Sequence, residues 1–424
     1  MLPRKLKGGA LFISLFLSLV IAVLLSLIIL LSYYSKLDYE RFIIEQNVSN
    51  NAQSAIAICM AEDNLDENKV ITDLYEEGKD SVEYSKKWWG CYKAICVKAF
   101  SKGFSRSYYF LAGSSLPIDT SLITKENGKA LSLCGETVLK GMCMLPKAGL
   151  ERAYIEGQNF VGDKLIDGDM LQAPATIPGI NEKFIEYLEK KLSFQLLESD
   201  SLLDYETFLS KDSLVNSFLN RTLVVQSSGT ILLSNKYIKG NILLFASNKI
   251  IIEENSHIED ALLVAPQIEI KDNFSGSLQA IASDTIKAGK EVHLNYPSSL
   301  TVLYKEDTTK GRKVPAIILD ENSFCSGSLI ALKKNEGNSL VNPLIKIGKE
   351  SMIQGLIYSQ GYTDLQGSLH GTLITNGFIL VTPSSVYENH LLNATIDRKS
   401  LSDFFVAGLI LNKNPGKKIV KWLN

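Results

Sequence analysis

A chain of 424 residues with 44 basic and 46 acidic side chains, formal net charge −2, lacks the basic footprint that nucleic-acid binding requires. Eleven prolines leave no long stretch that reads as disordered linker, and six cysteines in this length do not make a disulfide scaffold. With one membrane-spanning stretch set aside, the remainder is long enough for two or three domains with their own cores.

That stretch is Ala10 to Ser32, ALFISLFLSLVIAVLLSLIILLS, which contains no charge, proline or glycine. At about 1.5 Å per helical residue it covers roughly 35 Å, more than the about 30 Å of a bilayer's hydrocarbon. Arg4, Lys5 and Lys7 precede it, whereas Lys36, Asp38, Glu40 and Arg41 nearly cancel one another beyond it. The positive-inside rule then places the N-terminus in the cytoplasm and everything after Leu37 outside, as a single-pass protein of the inner (cytoplasmic) membrane with a periplasmic C-terminal part. A secretory cleavage site is not expected, because the run is long and ends in Ser32-Tyr33-Tyr34-Ser35 without a small-x-small pattern.

A short basic leader ending in Gly8-Gly9 and running straight into the apolar helix resembles the N-terminus of minor pilins and pseudopilins of the type IV pilus and type II secretion families. Their leader peptidase cuts after a glycine, so the resemblance marks Gly8 and Gly9 as possible cleavage points. Major pilins usually carry Glu at the fifth mature position, which here holds Ile13 or Ser14. An uncleaved anchor stays open as the other reading.

Leu37, Ile44, Val48, Ala52, Ala55, Ile56, Cys59 and Met60 recur every three or four residues, which predicts that the helix continues as an amphipathic stalk over 34–62. Asn47, Ser49, Asn50, Asn51 and Ser54 are poor helix formers, so the stalk needs tertiary contacts along its stripe. Residues 63–130 read as a small α+β domain. In it, Trp88–Phe100 and Phe104–Ala112, joined by Ser101-Lys102-Gly103, form a hairpin, and the Trp88-Trp89 pair fills core.

Export makes disulfides possible. Cys91 and Cys96 lie on opposite sides of one expected strand, which argues against their pairing. Cys134 and Cys143 flank CGETVLKGMC and are a possible disulfide, with buried free thiols as the alternative.

From about Leu131 the sequence turns to short apolar runs broken by Gly, Asn and Asp. Ile242–Ile252, Ala261–Ile270 and Leu278–Ile286 align, with Ala246, Ala265 and Ala282 equivalent and Ile250, Ile268 and Ile286 following. Gly355–Gly361 and Gly371–Gly377 form a second pair. Repeats of this length with strand composition predict a β-solenoid, because one turn cannot bury its own apolar row. In that register Lys249, Glu269 and Lys287 point to solvent.

The short turns over about 221–395 resemble the bactofilins, polymer-forming β-helix proteins of bacteria, and the β-helical heads of membrane-anchored proteins with pilin-like N-termini. Asn181–Leu192 and Tyr205–Leu219 have helical periodicity and read as an insertion on the solenoid's side.

No HExxH, GxSxG or phosphate-binding glycine loop occurs, and His257, His293, His370 and His390 are scattered. Asp260, Asp272 and Asp284 recur every twelve residues, which does not match the turn length, so they should not line up as paired carboxylates. Catalytic, cofactor and metal residues are therefore none, and the protein is read as no enzyme.

The expected fold is mainly β: a short-turn β-solenoid with an N-terminal transmembrane and stalk helix, a small α+β domain and a helical insertion. The expected divisions are leader and transmembrane helix 1–33, stalk 34–62, small α+β domain 63–130, first solenoid turns 131–180, helical insertion 181–220, solenoid 221–395 and C-terminal cap 396–424. The expected function is structural: an envelope scaffold or minor pilin-like subunit using the solenoid as an interaction surface. Its expected partners are the lipid bilayer and other envelope or pilus-like assembly proteins. A glycan-binding or cell-wall-binding module, and a β-helix polysaccharide lyase or hydrolase, are the alternatives. An exposed aromatic row on one face would favour glycan binding.

Overall fold

The computed structural model describes residues 9–61, 68–72, 74, 80–116, 119–195, 197–198, 200–305, 314–334, 342–412 and 416–423. The chain is mainly β, with one long apolar N-terminal helix, and divides into two compact units.

The first unit comprises residues 1–85 and 96–108. Its helix α1, Gly9–Ala61, runs 53 residues without a break, about 80 Å at 1.5 Å per residue. Side chains from Leu11 to Leu31 are exposed, and by length and composition the helix is long and apolar enough to cross a membrane. The three serines in this stretch do not leave bare hydroxyls. Ser14, Ser18 and Ser26 donate to the carbonyls of Leu11, Leu15 and Ala22 one turn back, which satisfies them without water.

Beyond the apolar run the helix buries Val48, Asn51, Ala52, Ala55 and Cys59, while Leu37, Ile44, Ile56 and Met60 of the expected stripe are half-buried. Asn51 Nδ2 donates to Asp80 Oδ2 at 2.8 Å, so a residue with poor helix propensity is held by a tertiary hydrogen bond. Three strands, Asp80–Trp89, Tyr92–Ser101 and Phe104–Ser115, pass through both units. Lys102 and Gly103 both have positive φ, as a two-residue hairpin turn requires. A strand starting at Trp88 is corrected: Trp88 and Trp89 end one strand, and the chain reverses at Gly90, whose φ is +60°.

The second unit, residues 86–95 and 109–424, holds a closed sheet whose ladders are almost all parallel. Its strands fall into three columns that the chain visits in rotation. One column runs through Ser213–Asn216, Tyr237–Gly240 and the starts of His257–Ile270, Ser275–Ala288, His293–Tyr304, Phe324–Lys333, Met352–Leu365 and Ser368–Val381. The second takes Leu223–Ser227, Ile242–Ala246 and the middles of those long strands. The third takes Thr230–Leu233, Lys249–Ile252, Ile317–Leu319, Pro343–Ile347 and the ends of four of those long strands.

The register matches the aligned repeats. Ile250 pairs with Ile268 and Ile268 with Ile286, and Leu244, Leu263 and Ala280 follow one another in the second column. All six are buried in one cluster. From Ile242–Ala246 onward the second column is buried on both faces, inside by that cluster and outside by a second containing Leu243, Leu262, Val264, Ile281 and Ile330. Hence its strands read as continuous apolar runs such as ILLFA and ALLVA rather than alternating ones. Between the first and second columns the chain bends at Gly327, Gly355 and Gly371. A Cβ on Gly371 would lie 1.9 Å from the carbonyl oxygen of Gly355, and one on Gly355 would lie 2.0 Å from that of Gly327. At these three positions only glycine fits.

Residues 131–180 do not precede the strands at 221 in space. Thr120–Thr124 pairs with Leu373–Thr375 and Val138–Lys140 with Thr395–Asp397, so this segment extends the far end of the sheet. Met142–Leu145 and Met170–Gln172 follow. The chain then returns along the outside through α2, Glu182–Leu192, N-capped by Asn181, whose Phe184, Tyr187 and Leu188 join the outer cluster. It re-enters the sheet at Ser201–Leu203, which pairs with Leu223–Val225.

Two boundaries differ from expectation. Of Tyr205–Leu219 only α3, Tyr205–Leu209, is helical, while Ser213–Asn216 pairs with Tyr237–Gly240 because a neighbouring strand offers its backbone a ladder. Residues 396–424, expected as a cap, instead place Lys417–Leu423 antiparallel on Tyr109–Ser114.

Candidate interaction surface

Of the residues singled out for cleavage, Gly8 lies outside the described residues and Gly9 is the first residue of α1. Cys134 and Cys143, expected as a possible pair, are both free thiols. They pack in different apolar clusters, Cys134 with Ile155 and Leu380, Cys143 with the main interior. Burial raises both thiols above the ordinary value, Cys143 to about 11, with the Ser121 hydroxyl offsetting part of the effect there.

The three aspartates lie apart. Asp260 sits at a corner with φ +62°, its carbonyl accepting from Trp89 Nε1 at 2.7 Å and its carboxylate from Lys421 at 2.7 Å. Asp272 accepts from the backbone of Lys290, and Asp284 from Gln267. Trp89 is buried, and Trp88 stacks on Tyr187 of α2, so both fill core. Among the described residues, no three His, Cys, Asp or Glu side chains come together as a metal site.

On the outer face of the third column, Glu269 accepts from Lys249 and Lys271, and Lys287 pairs with Asp320. Hydrogen bonds from the two lysines hold the Glu269 carboxyl at about 2. Lys249 meets Glu269, and Lys287 meets Asp320, from neighbouring strands, while Lys271 reaches Glu269 from two residues along the same passage, so these charges are paired at the surface.

The first column presents a different row. Its outward residues include, in spatial order, Ser213, Tyr237, His257, Ser275, His293, Phe324, Met352 and Ser368. The pairing of Glu259 with Ser277 sets Ser275 beside His257. Tyr237 and His257 stack with centroids 5.1 Å apart and planes 9° apart, and His293 and Phe324 stack at 4.4 Å and 21°. Tyr237, His257, Ser275 and His293 are exposed. Sequence reasoning missed this row, since two of its histidines looked scattered. The only available signal was that Tyr237, His257, His293 and Phe324 occupy equivalent places once the turn register is known.

No protein-family model and no curated protein matches the sequence. Among solved structures, the chain is similar to the competence-associated pilin ComZ from Thermus thermophilus, at 11% identity over 85% of this chain and 89% of that one, with a TM-score of 0.21. A TM-score of that size carries no argument about this chain.

Proposed function

We propose that the protein is a single-pass envelope protein whose closed parallel sheet is an extracytoplasmic β-solenoid serving as a structural or assembly subunit, without enzymatic activity. The observation that carries this is α1: an unbroken helix whose first part exposes only apolar side chains and internally satisfied serines, and whose last part buries a stripe of small residues. Such a surface is stable against lipid or against other apolar helices. The basic leader with Gly8-Gly9 supports a minor pilin-like mode of insertion, with the N-terminus in the cytoplasm and the rest in the periplasm. Parallel ladders between successive passages, with glycine at a recurrent corner, support the solenoid.

N-terminal sequencing of the mature protein, alkaline extraction of membranes and protease treatment of spheroplasts test this reading together. The expected results are a start at Met1, Gly9 or Ala10, retention in the alkaline pellet, and digestion of the sheet unit from outside. Release into the alkaline wash, a start beyond residue 32, or full protection in spheroplasts would refute it.

A second reading, glycan binding, is favoured by the row of Tyr237, His257 and His293, all exposed, with half-buried Phe324 at its end. An exposed aromatic side chain offers a ligand an apolar ring face beside a polar tip, a surface that the C–H face and hydroxyls of a sugar ring match.

A further inference from the structure

The aromatic row has a missing rung. Tyr237 stacks on His257 and His293 on Phe324, but between the two pairs stands Ser275, an exposed residue whose side chain is too short to reach their rings. Strands in a sheet lie about 4.8 Å apart, so the rings of His257 and His293, two strands apart, are separated by roughly 9.6 Å. Both filled steps have centroid spacings of that single-strand size, 5.1 and 4.4 Å. On that spacing the gap has the imidazole rings of His257 and His293 on its two sides and the Ser275 hydroxyl between them.

Width selects the occupant. Carbon atoms in contact sit about 3.5–4.0 Å apart, so a flat ring fills only roughly 7–8 Å between walls, whereas a puckered ring with hydrogens on both faces fills roughly 8–9 Å. The polar groups around the slot match sugar hydroxyls. In the neighbouring row Glu259 accepts from Lys239 at 2.9 Å and from Lys421 at 3.1 Å, and Asn295 is exposed two residues after His293.

We propose that the gap between His257 and His293, floored by Ser275, binds a pyranose ring of a glycan edge-on from solvent. This rests on the glycan reading of the row and specifies its site. The two imidazole faces cover the C–H faces of the sugar, and Ser275 and Asn295 bond its rim.

The test uses the full chain in lipid nanodiscs, with saturation-transfer difference NMR and titration against chitotetraose, cellotetraose and maltotetraose. At least one tetrasaccharide is expected to bind. Ser275→Trp, which fills the rung from within, is expected to weaken that binding at least tenfold with an unchanged far-UV spectrum and melting temperature. The double variant His257→Ala with His293→Ala removes both walls and is expected to do the same. Binding that survives Ser275→Trp would overturn the slot while leaving glycan binding elsewhere on the protein. Binding of none of the three sugars, or of free indole but no sugar, would overturn both. Neither outcome touches the membrane-anchoring reading, which is measured separately.

Discussion

Leu122 is the register partner of Leu373, and both are fully buried although they come from opposite ends of the β-rich sequence. The row of inward residues that runs through Leu329, Ile357 and Leu373 thus continues into Leu122 and Cys143 with no covalent link at the junction. Leu122→Ala should therefore cost as much as Leu373→Ala, about 2–5 kcal/mol each. Urea unfolding of the two variants measures this. A Leu122 variant as stable as the parent would show that the segment does not belong to the closed sheet.

Ile268 lies between Ile250 and Ile286 with only 1% exposure, whereas its neighbour Glu269 faces out between two lysines. Ile268→Asp should cost several kcal/mol, because an unpaired carboxylate loses its water among apolar neighbours. Glu269→Lys sets three like charges together and should cost about 1 kcal/mol, more than an isolated surface change, with the loss shrinking at high salt. Comparable losses in the two variants would mean that the register is misassigned.

Two carboxylates impose opposite pH dependences. The Glu269 carboxyl is lowered from 4.5 to about 2 by hydrogen bonds from Lys249 and Lys271, so its contribution is present above about pH 4.5 and is lost as pH falls toward 2. Burial raises Asp364 from 3.8 to about 6, against hydrogen bonds from Gln366. Its ionised form destabilises the fold above pH 6, by at most about 3 kcal/mol, and the penalty fades as pH drops from 6 to 4. Asp364→Asn should accordingly raise the melting temperature at pH 7.5 and leave it nearly unchanged at pH 4. A variant that melts lower at pH 7.5 would count against this.

The cysteines give a direct chemical readout. Burial pushes Cys91 and Cys325 up to about 12 and Cys143 to about 11, so their thiolate fractions at pH 8 are small. Native protein should react slowly with Ellman's reagent at these positions. All six thiols should react after denaturation without reductant, the full count in the sequence. Four reactive thiols would instead establish a disulfide, with Cys134 and Cys143 the first pair to map by mass spectrometry.

How much of this was legible in the sequence depends on whether local pattern or distant pairing decides each element. The spacing of Val48, Ala52, Ala55 and Cys59 determined the stalk stripe, because helical geometry fixes which residues share a face. Asn181 followed by Phe184, Tyr187 and Leu188 likewise determined α2, and the aligned isoleucines determined the register of neighbouring passages. Gly355 and Gly371, sixteen residues apart, stood out in the sequence at two positions where the structure leaves no room for a side chain.

Only the tertiary structure decided which strand stands beside which at the far end. An apolar run such as Thr120–Thr124 demands neighbours on both edges and cover on both faces, but any strand of similar pattern meets that demand, so the partner at Leu373–Thr375 could not be read from it. The same holds for Ser213–Asn216, drawn from a helical pattern into the sheet by the ladder of Tyr237–Gly240, and for Lys417–Leu423. The aromatic row is the extreme case. Outward positions carry no apolar periodicity, so His257 and His293 acquire a relationship only once the passages between them are counted out in space.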